Sequence, residues 1–91
     1  MNPSEVKLLF EKERLEKDVL NRITWDDSLK KDSFTVVHLD RVENKLLEIP
    51  FSDIAVDGDF FRHEGSLIPM HRIRAVKYNG EIVWARRRNQ P

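Results

Sequence analysis

The side chains best suited to chemistry in this sequence are arginines, and they gather at one end of the chain. Residues 71–91 carry Arg72, Arg74, Lys77, Arg86, Arg87 and Arg88 against the single acid Glu81, whereas residues 1–70 hold 10 basic and 15 acidic side chains. The formal net charge is zero, but charge segregated in this way steers partners even where the sum vanishes. Five of the six basic residues are arginine, whose planar fork matches phosphate oxygens better than a lysine does. An anion is therefore the expected ligand of this end. Two other readings compete with it: neutralisation by nearby Asp and Glu within the fold, and a protein-interaction module in which the basic segment meets an acidic partner.

The remaining reactive groups are fewer. His38, His63 and His71 show no local ligand spacing, and with no cysteine in the chain neither a Cys-based zinc site nor a disulfide can form. No metal and no cofactor is expected. His38 alternates with Val37 and Leu39 in a strand-like run and reads as structural if the Phe34–Val36 side is buried. His63 falls in an expected loop and reads as solvated. His71 follows Pro69 at the start of a strand, where a side chain can be held in place. Trp25 and Trp84 can stack on a base or ribose, or fill the core as large aromatics usually do in a small domain.

Turn chemistry positions the arginines. Asn79-Gly80 between two β-rich arms is the preferred dipeptide of a type I′ turn, in which both central residues need positive φ. A basic hairpin over His71–Arg88 follows. An unbroken register pairs Tyr78 with Glu81, Lys77 with Ile82, Val76 with Val83, Ala75 with Trp84, Arg74 with Ala85, Ile73 with Arg86 and Arg72 with Arg87. Alternation then places Arg72, Arg74 and Arg87 on one face and Trp84 over Ala75 and Ile73 on the other.

Upstream, Pro3 and Ser4 read as a helix start with Ser4 as N-cap. Val6, Leu9 and Phe10 share a face, as do Leu15, Val19 and Ile23 with Leu20 beside them. The charged run Glu11–Arg14 between the two sets favours two helices over one. Trp25–Ser28 ends the helical region and Leu29–Ser33 is a polar loop. Phe34–Leu39 reads as a strand reaching Arg41 or Val42, and Leu46–Ile49 as its partner, stopped by Pro50. Residues 51–66 are less regular, with turn chemistry at Asp57-Gly58 and Glu64-Gly65. The fold class expected is α+β: an N-terminal helical region on a small, mostly antiparallel sheet that ends in the hairpin. The length allows one domain. Met1–Phe10 lacks the basic start and long apolar stretch of a secretory signal, and no apolar run is long enough for a bilayer, so no membrane partner and a cytoplasmic location are expected.

Four pieces of sequence then gain meaning together. Asn21-Arg22-Ile23-Thr24-Trp25-Asp26, Asp40-Arg41, Ile68-Pro69-Met70-His71-Arg72-Ile73-Arg74 and Asn79-Gly80-Glu81-Ile82-Val83-Trp84-Ala85-Arg86 resemble, in this order, the signature of the RNA cyclic-group-end recognition domain family. That family is also called an RNA repair domain and is widespread in archaea. The resemblance covers about residues 17–88, which makes residues 1–16 a helical extension and 89–91 a tail. It implies recognition of RNA ends bearing a 2′,3′-cyclic phosphate. Because such domains occur fused to RNA end-processing and nucleotidyltransferase domains, it also implies a separate RNA ligase, phosphoesterase or nucleotidyltransferase as partner.

Under that resemblance Arg72 and Arg22 are the first candidates for a fork on the phosphate, with His71 adding a hydrogen bond. Arg74, Arg86 and Arg41 are further phosphate contacts, and Trp25 and Trp84 the stacking candidates. Asp26 and Asp40 are orienting residues, or else ion-pair partners that tie Arg72 into the fold. No catalytic residue is assigned. A phosphoesterase using His71 or His38 is the competing enzyme reading. Against it, His38 is followed by Leu39-Asp40 and His71 by Arg72-Ile73, where cyclic phosphodiesterases carry His-x-Thr/Ser motifs.

Overall fold

The computed structural model describes residues 1–86. Two helices open the chain, α1 (Pro3–Phe10) and α2 (Glu16–Trp25). The break falls in the charged stretch that has no apolar residue to carry a buried face onward. The first cap is Asn2 rather than Ser4. Its side chain accepts the Glu5 amide and the Glu5 carboxylate accepts the Asn2 amide, each at 2.9 Å. Pro3 is the reason: it lacks an N–H and fits the first helical position, which moves the cap two residues earlier, from Ser4 to Asn2.

Seven strands follow: β1 (Phe34–Asp40), β2 (Lys45–Pro50), β3 (Ala55–Asp57), β4 (Phe60–His63), β5 (Ser66–Pro69), β6 (Ile73–Tyr78) and β7 (Glu81–Ala85). They form a four-stranded sheet in the order β2-β1-β6-β7 and a three-stranded sheet in the order β3-β4-β5, with every pairing antiparallel. The α+β expectation holds. The second sheet is new, built from the segment that reads as irregular, because its strands are only three or four residues long. Too short to show alternation, they are held by turns at the two glycines.

One core serves both sheets and both helices. Val6 and Phe10 of α1, Val19, Leu20 and Ile23 of α2, Phe34 and Val36 of β1, Phe61 of β4, and Val76, Tyr78 and Trp84 of the hairpin belong to it. Phe34 stands edge-on to Phe10 and tilts against Tyr78, with ring centroids 6.2 and 5.0 Å away, a geometry aromatic pairs favour.

The hairpin forms as expected at its tip and differs below it. Asn79 and Gly80 have φ of 51° and 86°, the left-handed pair that a type I′ turn demands. Tyr78 pairs with Glu81 and Lys77 with Ile82. A bulge then intervenes, so Val76 pairs with Trp84 and Ala75 with Ala85. The unbroken register fails here for a packing reason. It would set Trp84 beside Ala75, away from the buried side chain of Val76. The extra residue lets both Val83 and Trp84 enter the core, 3% and 7% exposed, and the Trp84 indole donates to the Glu13 carbonyl at 2.9 Å.

Candidate functional site

The bulge in β7 has a second effect, at the open end of the hairpin. Arg86, expected opposite Ile73, instead donates its backbone N–H to the Arg74 carbonyl at 2.8 Å. A further irregularity lies on the other side of β6, where β1 pairing steps from Val37–Ala75 to His38–Ile73 and leaves Arg74 as the extra residue. Bulges re-aim side chains; one has Arg74 as its extra residue, and the other shifts the strand that carries Arg86. The result is convergence: Arg74 Nη1 and Arg86 Nη1 both donate to the carbonyl of His71, each at 2.6 Å. His71 lies in a 3-10 turn, Met70–Arg72, that precedes β6.

Among the described residues one acid pairs with this group. Glu16, the first residue of α2, reaches Arg86 Nε at 3.2 Å, and its side chain is only 10% exposed. Partial burial pushes the Arg74 guanidinium down from its ordinary value. Arg86, Arg41 and Arg72 push in the same direction, and Glu16 opposes them. An arginine stays charged through a shift of that kind, so Arg74 and Arg86 meet at the His71 carbonyl as two positive charges, with those of Arg41 and Arg72 acting on Arg74. Nothing in the spacing of the sequence links Glu16 to Arg86. Of the expected trio, Arg72 and Arg74 lie together in the chain with Arg86 and Arg41 acting on Arg74; Arg87, like Arg88, lies outside the described residues.

Arg72 itself is the unusual member. Its expected ion-pair partners are engaged elsewhere. Asp40 Oδ1 accepts the Val42 amide at 2.9 Å, and Asp26 Oδ1 accepts the Ser28 amide and hydroxyl at 3.0 and 2.6 Å. Those bonds from Ser28, with weaker help from Arg22 and Lys31, hold the Asp26 carboxyl below the usual carboxylate range. Among the described residues Arg72 forms no ion pair, and its Nε is buried without a hydrogen-bond partner.

His38 shares this position. It pairs with Ile73, is 6% exposed, and sets its ring edge-on to Phe61 with centroids 5.8 Å apart. Burial is the main cause holding its imidazole below the ordinary histidine range; His63 and Arg72 add to the effect and Asp40 opposes it. The unfolded chain therefore takes up this proton more readily than the folded one, and protonation favours unfolding. Stability from His38 should be complete above the ordinary histidine pKa of about 6.5 and decline over the acid range below it, and His38→Phe should flatten that slope. Urea midpoints for both proteins across this range provide the check.

The other candidates are distributed as follows. The His71 ring is exposed, so it is the carbonyl of this residue that has a structural partner. His63 is part of β4 rather than a loop and is half-buried, its Nδ1 3.4 Å from the Asp53 carbonyl. The turn-rich stretch concealed that strand. Trp84 is core. Trp25 is 80% exposed at the end of α2. Arg22, on the same turn, contacts Asp26 at 3.9 Å and the Leu9 carbonyl at 3.5 Å. Neither contact reaches the arginine cluster. Since α2 starts at Glu16 in that cluster, Trp25 lies about 14 Å along the helix from it. A cavity of about 630 Å³ between α1, the start of α2 and β7 opens beside Arg86. Among the described residues no group of three or more His, Cys, Asp or Glu is placed to hold a metal ion, and no helix is long and apolar enough to cross a membrane.

Comparison with known proteins bears on the same residues. No solved structure matches the chain. A UPF0248 protein of Saccharolobus islandicus is 35% identical over 77 residues, covering 77% of this chain and 96% of its own. A UPF0248 protein of Saccharolobus solfataricus is 34% identical over 76 residues, 77% of this chain and 94% of its own. One from Metallosphaera sedula is 34% identical over 76 residues, with shares of 81% and 95%. The family model described as the MJ1316 RNA cyclic group end recognition domain matches residues 14–86, from just before Glu16 to Arg86. The chain therefore belongs to the MJ1316 RNA cyclic group end recognition domain family.

Proposed function

We propose that this protein is an RNA-binding module that recognises processed RNA ends, with a 2′,3′-cyclic phosphate as the preferred terminus. The observation that carries the reading is Arg72. A guanidinium whose Nε is buried without a partner, two residues before Arg74 on which Arg86 and Arg41 also act, suits an anion that supplies the missing acceptor. A cyclic phosphate fits because it is a monoanion with two free oxygens rigidly joined to a ribose. Trp25, exposed about 14 Å along α2 from Glu16, is placed for a base further along the strand, with Arg22 beside it for the backbone. The cavity beside Arg86 offers apolar walls to the attached nucleoside. Catalysis would fall to a separate ligase, phosphoesterase or nucleotidyltransferase in RNA repair or processing.

Matched RNA oligonucleotides ending in cyclic phosphate, 3′-phosphate or 3′-hydroxyl test this by titration, with product analysis alongside. The expected order is tightest binding to the cyclic end, weakest to the hydroxyl, and no turnover. Equal affinity for all three ends would reject end recognition. Turnover lost in His71→Ala would reassign the protein as a phosphoesterase.

A further inference from the structure

We propose that His38 is the second ligand of the anion held by Arg72, so that the imidazole Nδ1 and the Arg72 Nε–H contact oxygens of the same terminal phosphate. This rests on the reading of Arg72 as the phosphate fork. It adds a residue that its place inside a strand marks as structural.

Two buried side-chain atoms among the described residues lack a hydrogen-bond partner, His38 Nδ1 and Arg72 Nε. They belong to adjoining segments: His38 pairs with Ile73, the residue next to Arg72, and the Arg72 charge acts on the imidazole. Buried polar groups are normally satisfied, so two orphans on adjoining segments point to a shared partner. A water could serve both by accepting from one and donating to the other. Arg74, two residues on, feels the positive charges of Arg86, Arg41 and Arg72, and that surplus favours an anion instead, which accepts from both.

The imidazole is also preorganised. Its ring is fixed edge-on to Phe61, and the carboxylate on its own strand, Asp40, is turned to the Val42 amide. The charged and titratable groups that act on it are Asp40 of β1, His63 of β4 and Arg72 of the 3-10 turn. To donate toward a phosphate, Nδ1 must carry a proton, and an anion beside it favours the imidazolium. Binding is then linked to proton uptake.

The test is nitrogen-detected NMR of the histidine rings in the intact protein, titrated with RNA ending in cyclic phosphate and with the same RNA ending in 3′-hydroxyl. The His38 Nδ1 resonance should move with the cyclic end and not with the hydroxyl end. A His38 pKa raised by binding should make affinity grow as pH falls through the histidine range, by up to about tenfold for each unit of the rise. The cyclic phosphate keeps one charge throughout that range, so the change reports the protein. His38→Asn retains a nitrogen donor near the Nδ1 position without titrating, and should keep affinity within about threefold while losing that dependence. His38→Phe keeps ring packing and should lose roughly tenfold. An unmoved His38 resonance at saturation, with binding still dependent on Arg72, overturns this inference and leaves the RNA-end reading intact. Failure of the intact protein to bind any of the RNAs overturns both.

Discussion

Replacing Arg72 with methionine should weaken binding of cyclic-phosphate RNA by roughly ten- to hundredfold while leaving the thermal midpoint unchanged or slightly higher. The expected loss follows from removing a charge-assisted bond to an anion, about 1.5–3 kcal/mol. The unusual half of the prediction is stability. Among the described residues Arg72 has no ion pair, and its buried Nε has no acceptor, so the unliganded fold gains nothing from that N–H and bears its desolvation. Methionine keeps an unbranched apolar stem in place, so packing is largely retained. Arg72→Lys separates charge from geometry: it preserves the positive charge but removes Nε and the fork, and should recover only part of the affinity. Fluorescence anisotropy paired with thermal denaturation reads both quantities. If Arg72→Met lowered the melting temperature strongly and affinity fell only in proportion to unfolding, Arg72 would be a structural residue.

Phe61→Ala should have the largest effect on stability, about 3–5 kcal/mol, which for a domain of this size corresponds to a fall of about 15–30 °C in melting temperature. Phe61 is fully buried and is the anchor by which the three-stranded sheet enters the common core. Its removal leaves a cavity under β4 and takes away the ring against which His38 is set. Neighbouring Phe60, 40% exposed on the opposite face of the same strand, provides the contrast. Phe60→Ala should cost clearly less, because a large part of the side chain already faces water. Urea denaturation of the two variants gives the comparison. Equal losses would mean that the small sheet packs through its other face.

Much of the scaffold was legible in the residues. Asn79-Gly80 determined the tip of the hairpin because few residues tolerate positive φ at two successive positions. The charged run Glu11–Arg14 separated the helices because it could not be buried. The segregation of arginine, and Arg72 as its leading member, followed from composition, and four short sequence pieces placed the chain near its family. These features are local, and local chemistry is written in order along the chain.

What the tertiary structure alone decided was register and company. A bulge at Val83 depends on the depth of the pocket that receives Trp84, and no dipeptide announces it. Yet this bulge brings Arg86 against Arg74 and turns both guanidinium groups onto the His71 carbonyl. Glu16 joins them from 70 positions away through the packing of α2, a separation over which spacing carries no signal. The three short strands of the second sheet are stable only because Phe61 has a core to enter, so their pattern was too brief to read. His38 looked structural from its alternation with Val37 and Leu39, and it is buried as that reading requires. Only the fold shows that its nitrogen is unpaired like the Nε of Arg72, and that the pairing of β1 with β6 sets His38 opposite Ile73, the residue after the turn that delivers Arg72.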